Sequence, residues 1–227
     1  MPTQTFFNLP EEKKNRIIRA AMHEFAVYSF DQASIAHIIE KAGIPRGSFY
    51  QYFENLKDVY KHIINLVGDQ KIKYFQAAVP QFEGEGFDFF STLRDICVAG
   101  FQFAKENPEL LAIGNNFIKE MNKSLRNEIL DEQLPKAQNF YEFMLQKGIE
   151  LGQINPHIDL RIATLFMGVW NTSFIELYLA ELKNLPHENT EDFCALLTNK
   201  QFLRKVDQMI RLLANGLAAK PLPTVEE

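Results

Sequence analysis

The chain has 227 residues, 46% of them hydrophobic, with a formal net charge of −5, which supports one large or two small domains with a real core. No apolar run reaches the roughly 18 residues of a membrane span, and MPTQTFFNLPEEKK lacks the cationic and apolar blocks of a signal peptide, so a soluble cytoplasmic protein without a membrane partner is expected. Cys97 and Cys194 are the only cysteines; they form no metal spacing such as CxxC and read as two buried thiols.

Phe6, Phe7 and Leu9, just before Pro10, suit a hydrophobic staple packed on the helix that follows. The most informative stretch is DQASIAHIIEKAGIPRGSFYQYFENLKDVY, residues 31–60, which reads as a helix-turn-helix followed at once by a further helix. Ser34 can cap a helix to about Ala42, in which Ile35, Ile38, Ile39 and Ala42 recur at helical spacing on one face. Gly43 stands just past the last periodic residue, where a left-handed backbone closes a helix at low steric cost. Ile44 returns to the core, and Pro45, which lacks an amide proton, opens a second helix of about two turns. There Phe49 and Phe53, four apart, point inward, leaving Arg46, Gly47, Ser48, Tyr50, Gln51 and Tyr52 outside. Asn55 then caps a third helix, with Asp58 in the acidic slot that complements the helix dipole.

The outward set suits a nucleic acid. Arginine grips a guanine edge or a phosphate, serine and tyrosine hydroxyls donate to phosphate oxygens, and glycine lets the helix come close to the groove. A small helical hairpin with a solvated face is the plainer alternative for a motif of this length.

The run AGIPRGSFYQYFENLKDVY closely resembles the signature of the TetR family of bacterial transcriptional regulators, in which a Gly, a short recognition helix ending in Tyr-x-Tyr/His-Phe and a capped fourth helix follow in this order. Residues 11–28, EEKKNRIIRAAMHEFAVY, look like that family's first helix, with Ile17, Ile18, Ala21, Met22 and Phe25 on one face, and Phe30 stands where the family has an aromatic. The resemblance implies DNA contacts from Arg46, Gly47, Ser48, Tyr50 and Tyr52, and a phosphate contact from Ser34. Two positions depart from the pattern: Leu56 replaces a phosphate-contacting Lys, leaving Lys57, one residue on, as its candidate substitute, and Pro45 replaces the Ser or Thr that often caps the recognition helix. Ala36 holds a position that is polar and base-reading in many members, which leaves base readout to residues 46–51, Gln51 included, while His37 reads as solvated. Seven Lys and Arg balance seven Asp and Glu in residues 1–60, so affinity for a polyanion must come from local placement and from helix N-termini.

The rest reads as helical throughout. Helices are expected over about 57–79, stopped by Pro80 and the EGEG loop, and over 87–106, broken by Asn107-Pro108. One or two shorter ones should fill 109–133, another 135–151, ended by Gly152, and a long helix capped by Asp159 should reach about 182. A last helix over 199–219 carries Phe202, Val206, Met209, Ile210, Leu213 and Leu217 along one stripe. Paired across a two-fold axis, the last two helices would form a four-helix bundle, a homodimer with Phe174, Val206, Ile210, Leu213 and Leu217 at its interface. The run GQINPHID also resembles the junction before the penultimate helix of TetR-like regulators.

For catalysis there is no GxSxG, HExxH, phosphate loop or paired ExxH, and the five histidines are scattered, so no enzyme activity, metal or cofactor is expected. Fourteen of the 20 phenylalanines lie beyond residue 60, where they either fill a core or line an apolar pocket. TetR-like regulators hold a small-molecule effector in their second domain, which implies the pocket. Its wall candidates are Phe101, Phe117, Phe143, Phe166 and Trp170, with Asn116 and Asn171 as orienting polar groups for an apolar or aromatic ligand. The expected protein is all-α, with a three-helix helix-turn-helix DNA-binding domain at 1–56 and a helical effector-binding and dimerisation domain at 57–227. It would repress from a palindromic double-stranded operator. A helical ligand-binding or scaffold protein whose helix-turn-helix does not meet DNA, and an enzyme using the apolar pocket, are the other two classes.

Overall fold

The computed structural model describes residues 2–78, 86–120, 122–170 and 200–217, except for the side chains of 78, 101, 132–137, 201 and 202. It is all-α. In chain order the helices are α1 (Gln4–Phe7), α2 (Glu11–Val27), α3 (Ile35–Ala42), α4 (Arg46–Tyr52), α5 (Leu56–Ala78), α6 (Phe89–Glu106), α7 (Pro108–Ile118), α8 (Lys123–Glu150), α9 (160–170 as described) and α10 (Lys200–Leu217). One compact unit spans 1–72 with 106–133, and a second spans 73–105 with 134–227. Residue 56, the expected domain boundary, therefore falls inside the first unit. The reason is packing: Val59, Tyr60 and Ile63 on α5 are each 1% exposed.

The first unit is built on aromatic burial. Phe6, Phe25 and Phe49 are fully buried and Phe53 nearly so, each contributing about 1.5–3 kcal/mol relative to exposure. Tyr60 lies under Phe25 and Phe30, with ring centroids at 4.8 and 5.1 Å. α7 packs along α2, where the Asn116 amide donates to the carbonyls of Phe25 and Ala26 at 3.0 and 3.1 Å and satisfies acceptors that the end of α2 leaves open. Phe6, expected to staple onto α2, is packed among rings. Its ring sits against Phe53 at 4.8 Å and His62 at 5.5 Å.

Burial among these rings pushes the His62 imidazole below its ordinary pKa, because the charged form loses its water. A depressed histidine gives a stability that is complete above the unfolded value of about 6.5 and declines as pH falls below it, since the unfolded chain takes up the proton more readily. The thermal midpoint of His62→Phe is therefore expected to fall less than the wild type's between about pH 7.5 and 5.5. Equal falls would place the acid sensitivity elsewhere.

α8, whose residues 123–133 belong to the first unit and 134–150 to the second, runs for 28 residues straight through Pro135, where a break was expected. Proline in a helix interior removes one hydrogen bond and crowds the preceding turn. Here the helix continues on both sides of it. Gly152 closes α8 in a left-handed conformation (φ 70°), and Gln153 then bonds both the Phe87 carbonyl (2.8 Å) and the Phe89 amide (2.7 Å), fixing the start of α6. Asp159 caps α9 as expected, accepting from Ile162 N–H at 3.0 Å.

α10 departs from expectation. Val206, Ile210, Leu213 and Leu217 are 1–6% exposed within one chain, and Arg94 pairs with Asp207 at 2.6 Å. The stripe taken for a dimer interface is core, because a strongly one-sided helix buries that side against its own unit first. Among the described residues an exposed apolar face lies on α9, where Ile162, Leu165, Phe166 and Val169 are 50–64% exposed at helical spacing, and Leu212 on α10 is 75% exposed. Phe174 lies outside the described residues.

Candidate nucleic-acid interface

The turn between α3 and α4 is fixed by backbone bonds that its sequence dictates. Gly43 adopts φ 60° and donates to the Glu40 carbonyl at 3.1 Å, while Ile44 donates to Ile39 at 3.2 Å and buries its side chain. That pair of bonds closes α3 in a Schellman arrangement. At the other end Ser34 Oγ accepts from Ala36 N–H at 3.2 Å. Asn55 caps α5 by accepting from Asp58 N–H at 3.0 Å, and Asp58 accepts in turn from Glu54 N–H at 3.2 Å.

α2 holds α3 through a residue that the sequence reading passed over. Glu24 is 4% exposed and accepts from the Ser34 amide at 2.7 Å, with His37 Nδ1 at 3.0 Å from the same oxygen. Its spacing from Ile17 and Ala21 puts it on the apolar face of α2, and a carboxylate there needs a partner. His37, expected to be merely solvated, is that partner.

On α4 the inward residues are Phe49 (0% exposed) and Tyr52 (4%). Tyr52 was expected outside; instead its ring lies near Phe6, with Lys13 Nζ 5.4 Å from its centroid. The remaining surface is Arg46, Gly47, Ser48, Tyr50 and Gln51. Arg46 and Tyr50 stack one turn apart, guanidinium to ring centroid 5.8 Å, so the cation is steered along the exposed face. A Cβ at Gly47 would meet nothing within 4 Å, so the fold does not require the glycine there.

Lys57, the candidate substitute phosphate contact, is half-exposed. It forms an ion pair with Glu128, which also holds Lys61 at 2.9 Å, and the two ammonium groups keep the Glu128 carboxyl below its ordinary pKa. The displacement by one residue turns the lysine toward α8.

Residues 17–63 match the model of the family described as bacterial regulatory proteins, tetR family. Along nearly its whole length the chain is similar to a TetR family transcriptional regulator from Chloroflexus aurantiacus, at 31% identity over 96% of this chain and 99% of that one, with a TM-score of 0.62. This chain belongs to the TetR family. It is a DNA-binding transcriptional regulator rather than an enzyme. Two Bacillus subtilis proteins are also similar: the uncharacterised helix-turn-helix regulator YdgC (28% identity, 61% of this chain and 72% of that one) and a fatty acid metabolism regulator protein (26%, 66% and 75%).

The side chains expected to line an effector site are divided between the two units. Asn116 and Phe117 belong to the first unit, where the amide is committed to α2 and the Phe117 ring faces Tyr60 at 6.4 Å. Phe143 and Phe166 are 43% and 50% exposed, and Trp170 is buried in the second unit. The Phe101 side chain and Asn171 lie outside what is described. An open groove of about 490 Å³ in the second unit is lined by Gln138, Glu142, Leu160, Arg161, Thr164 and Leu165, a mixed surface unlike the aromatic chamber expected. Aromatic spacing along a helix does not say which rings share a cavity.

Proposed function

We propose that the protein is a cytoplasmic homodimeric repressor that binds a palindromic operator through α4 and is released by an apolar effector carrying a long acyl chain. Arg46, Ser48, Tyr50 and Gln51 contact DNA, Gly47 permits close approach, and Ser34 meets a phosphate at the start of α3. The observation that carries the DNA part is the exposed Arg46–Tyr50 stack, held outward by a fully buried Phe49. Support for the effector class comes from the similarity to a fatty acid metabolism regulator, together with a second unit rich in buried phenylalanine: Phe87, Phe89, Phe90 and Phe103.

Trp170 is the single tryptophan of the chain and is buried in that unit, so its fluorescence reports on binding there. Medium- and long-chain acyl thioesters and the free acids should be titrated with and without operator duplex. An effector that weakens operator binding by some factor must bind the operator complex more weakly by the same factor. Tight binding of a long-chain thioester with that reciprocity is expected. Equal affinities in both titrations would remove that ligand as effector, and no binding by any acyl species would remove the class.

A further inference from the structure

We propose that residues 2–9 act as a brace that sets the position of the recognition helix, with Thr3 as a positioning residue that does not itself touch DNA. The inference rests on the reading of α4 as the DNA-reading element. α4 is only seven residues long and begins at Pro45 without a side-chain cap. Its last carbonyls would also be open, as at any helix end. Thr3 closes them: its hydroxyl donates to the Gln51 carbonyl at 2.6 Å and its amide to the Tyr52 carbonyl at 2.9 Å. Phe6, fully buried one turn later, wedges between Tyr52, Phe53 and His62. Gln51, whose backbone is held, is adjacent to Tyr50, whose side chain faces out. The segment matching the family model begins at residue 17, which leaves this brace outside it.

A side-chain hydrogen bond contributes about 0.5–1.5 kcal/mol net, so losing the Thr3 hydroxyl should weaken each half-site about fivefold and a two-fold symmetric site about twenty-five-fold. The test compares the wild type with Thr3→Val, Thr3→Ser and a deletion of residues 2–9, using a fluorescein-labelled duplex enriched from a random library and a mixed-sequence duplex at the same salt. Thr3→Val keeps the shape at an exposed position and should stay folded. It is expected to lose operator affinity and to speed amide exchange within α4 while keeping mixed-sequence affinity, and Thr3→Ser should restore the operator affinity and the slow exchange; the deletion should lose more. Wild-type operator affinity in both Thr3→Val and the deletion would overturn the brace, as would a Thr3→Ser variant no better than Thr3→Val. Equal loss on both duplexes would also overturn it, by making the segment a direct phosphate contact. If Arg46→Ala bound the operator like the wild type, the reading of α4 would fail instead.

Discussion

Glutamate in place of Val169 is expected to leave each chain folded, render the protein monomeric in sedimentation and weaken operator binding by about a hundredfold or more. Val169 is 62% exposed and shares one face of α9 with Ile162, Leu165 and Phe166. An apolar stripe of this size facing water marks a surface that another molecule covers. If a second copy covers it, the substitution buries a carboxylate in each protomer at a cost of several kcal/mol. The loss on DNA follows because two linked half-site contacts exceed either alone by a factor of about 10²–10⁴. Leu213→Asp cannot serve as this test. Leu213 is 3% exposed inside its own unit, so the charge would break the core before it reached any interface. Unchanged circular dichroism would show that Val169→Glu is folded. A Val169→Glu protein that remained dimeric would put the interface on another face.

Alanine at Arg46 should weaken operator binding about ten- to a hundredfold and relax base preference at one position of each half-site, because a bidentate arginine–guanine contact discriminates by about 1–3 kcal/mol. Tyr50→Ala should differ in kind. Removing a hydroxyl that meets phosphate lowers affinity for all sequences and leaves the preference as it was. The stack between the two side chains couples them, so the double variant should lose less than the sum of the single losses. Equal losses by Arg46→Ala on operator and mixed-sequence duplexes would reassign Arg46 to the phosphate backbone.

The helix-turn-helix was legible because its signals are local. A serine cap, a glycine that must take positive φ and an Asn55/Asp58 pair each fix their own few residues, and all three appear where expected. Tyr52 was misjudged because the group that covers it, Phe6, comes from a segment nearly fifty residues earlier. Lys57 and Asn116 illustrate the same limit: their partners, Glu128 and the end of α2, are distant in sequence and close in space. On α10 the stripe was read correctly and its partner wrongly. Periodicity identifies an apolar face without saying whether the same chain or a second copy buries it. The effector residues were the least legible, since a pocket depends on which rings stay unpacked.

In the proposed mode of binding, two copies of α4 related by a two-fold axis read successive turns of one duplex. Selection of bound duplexes from a random library at low salt tests it most directly. Enrichment of one inverted repeat whose half-sites lie about one helical turn, or a multiple of it, apart is expected, with affinity that falls steeply as salt rises. Enrichment of no symmetric sequence would contradict it.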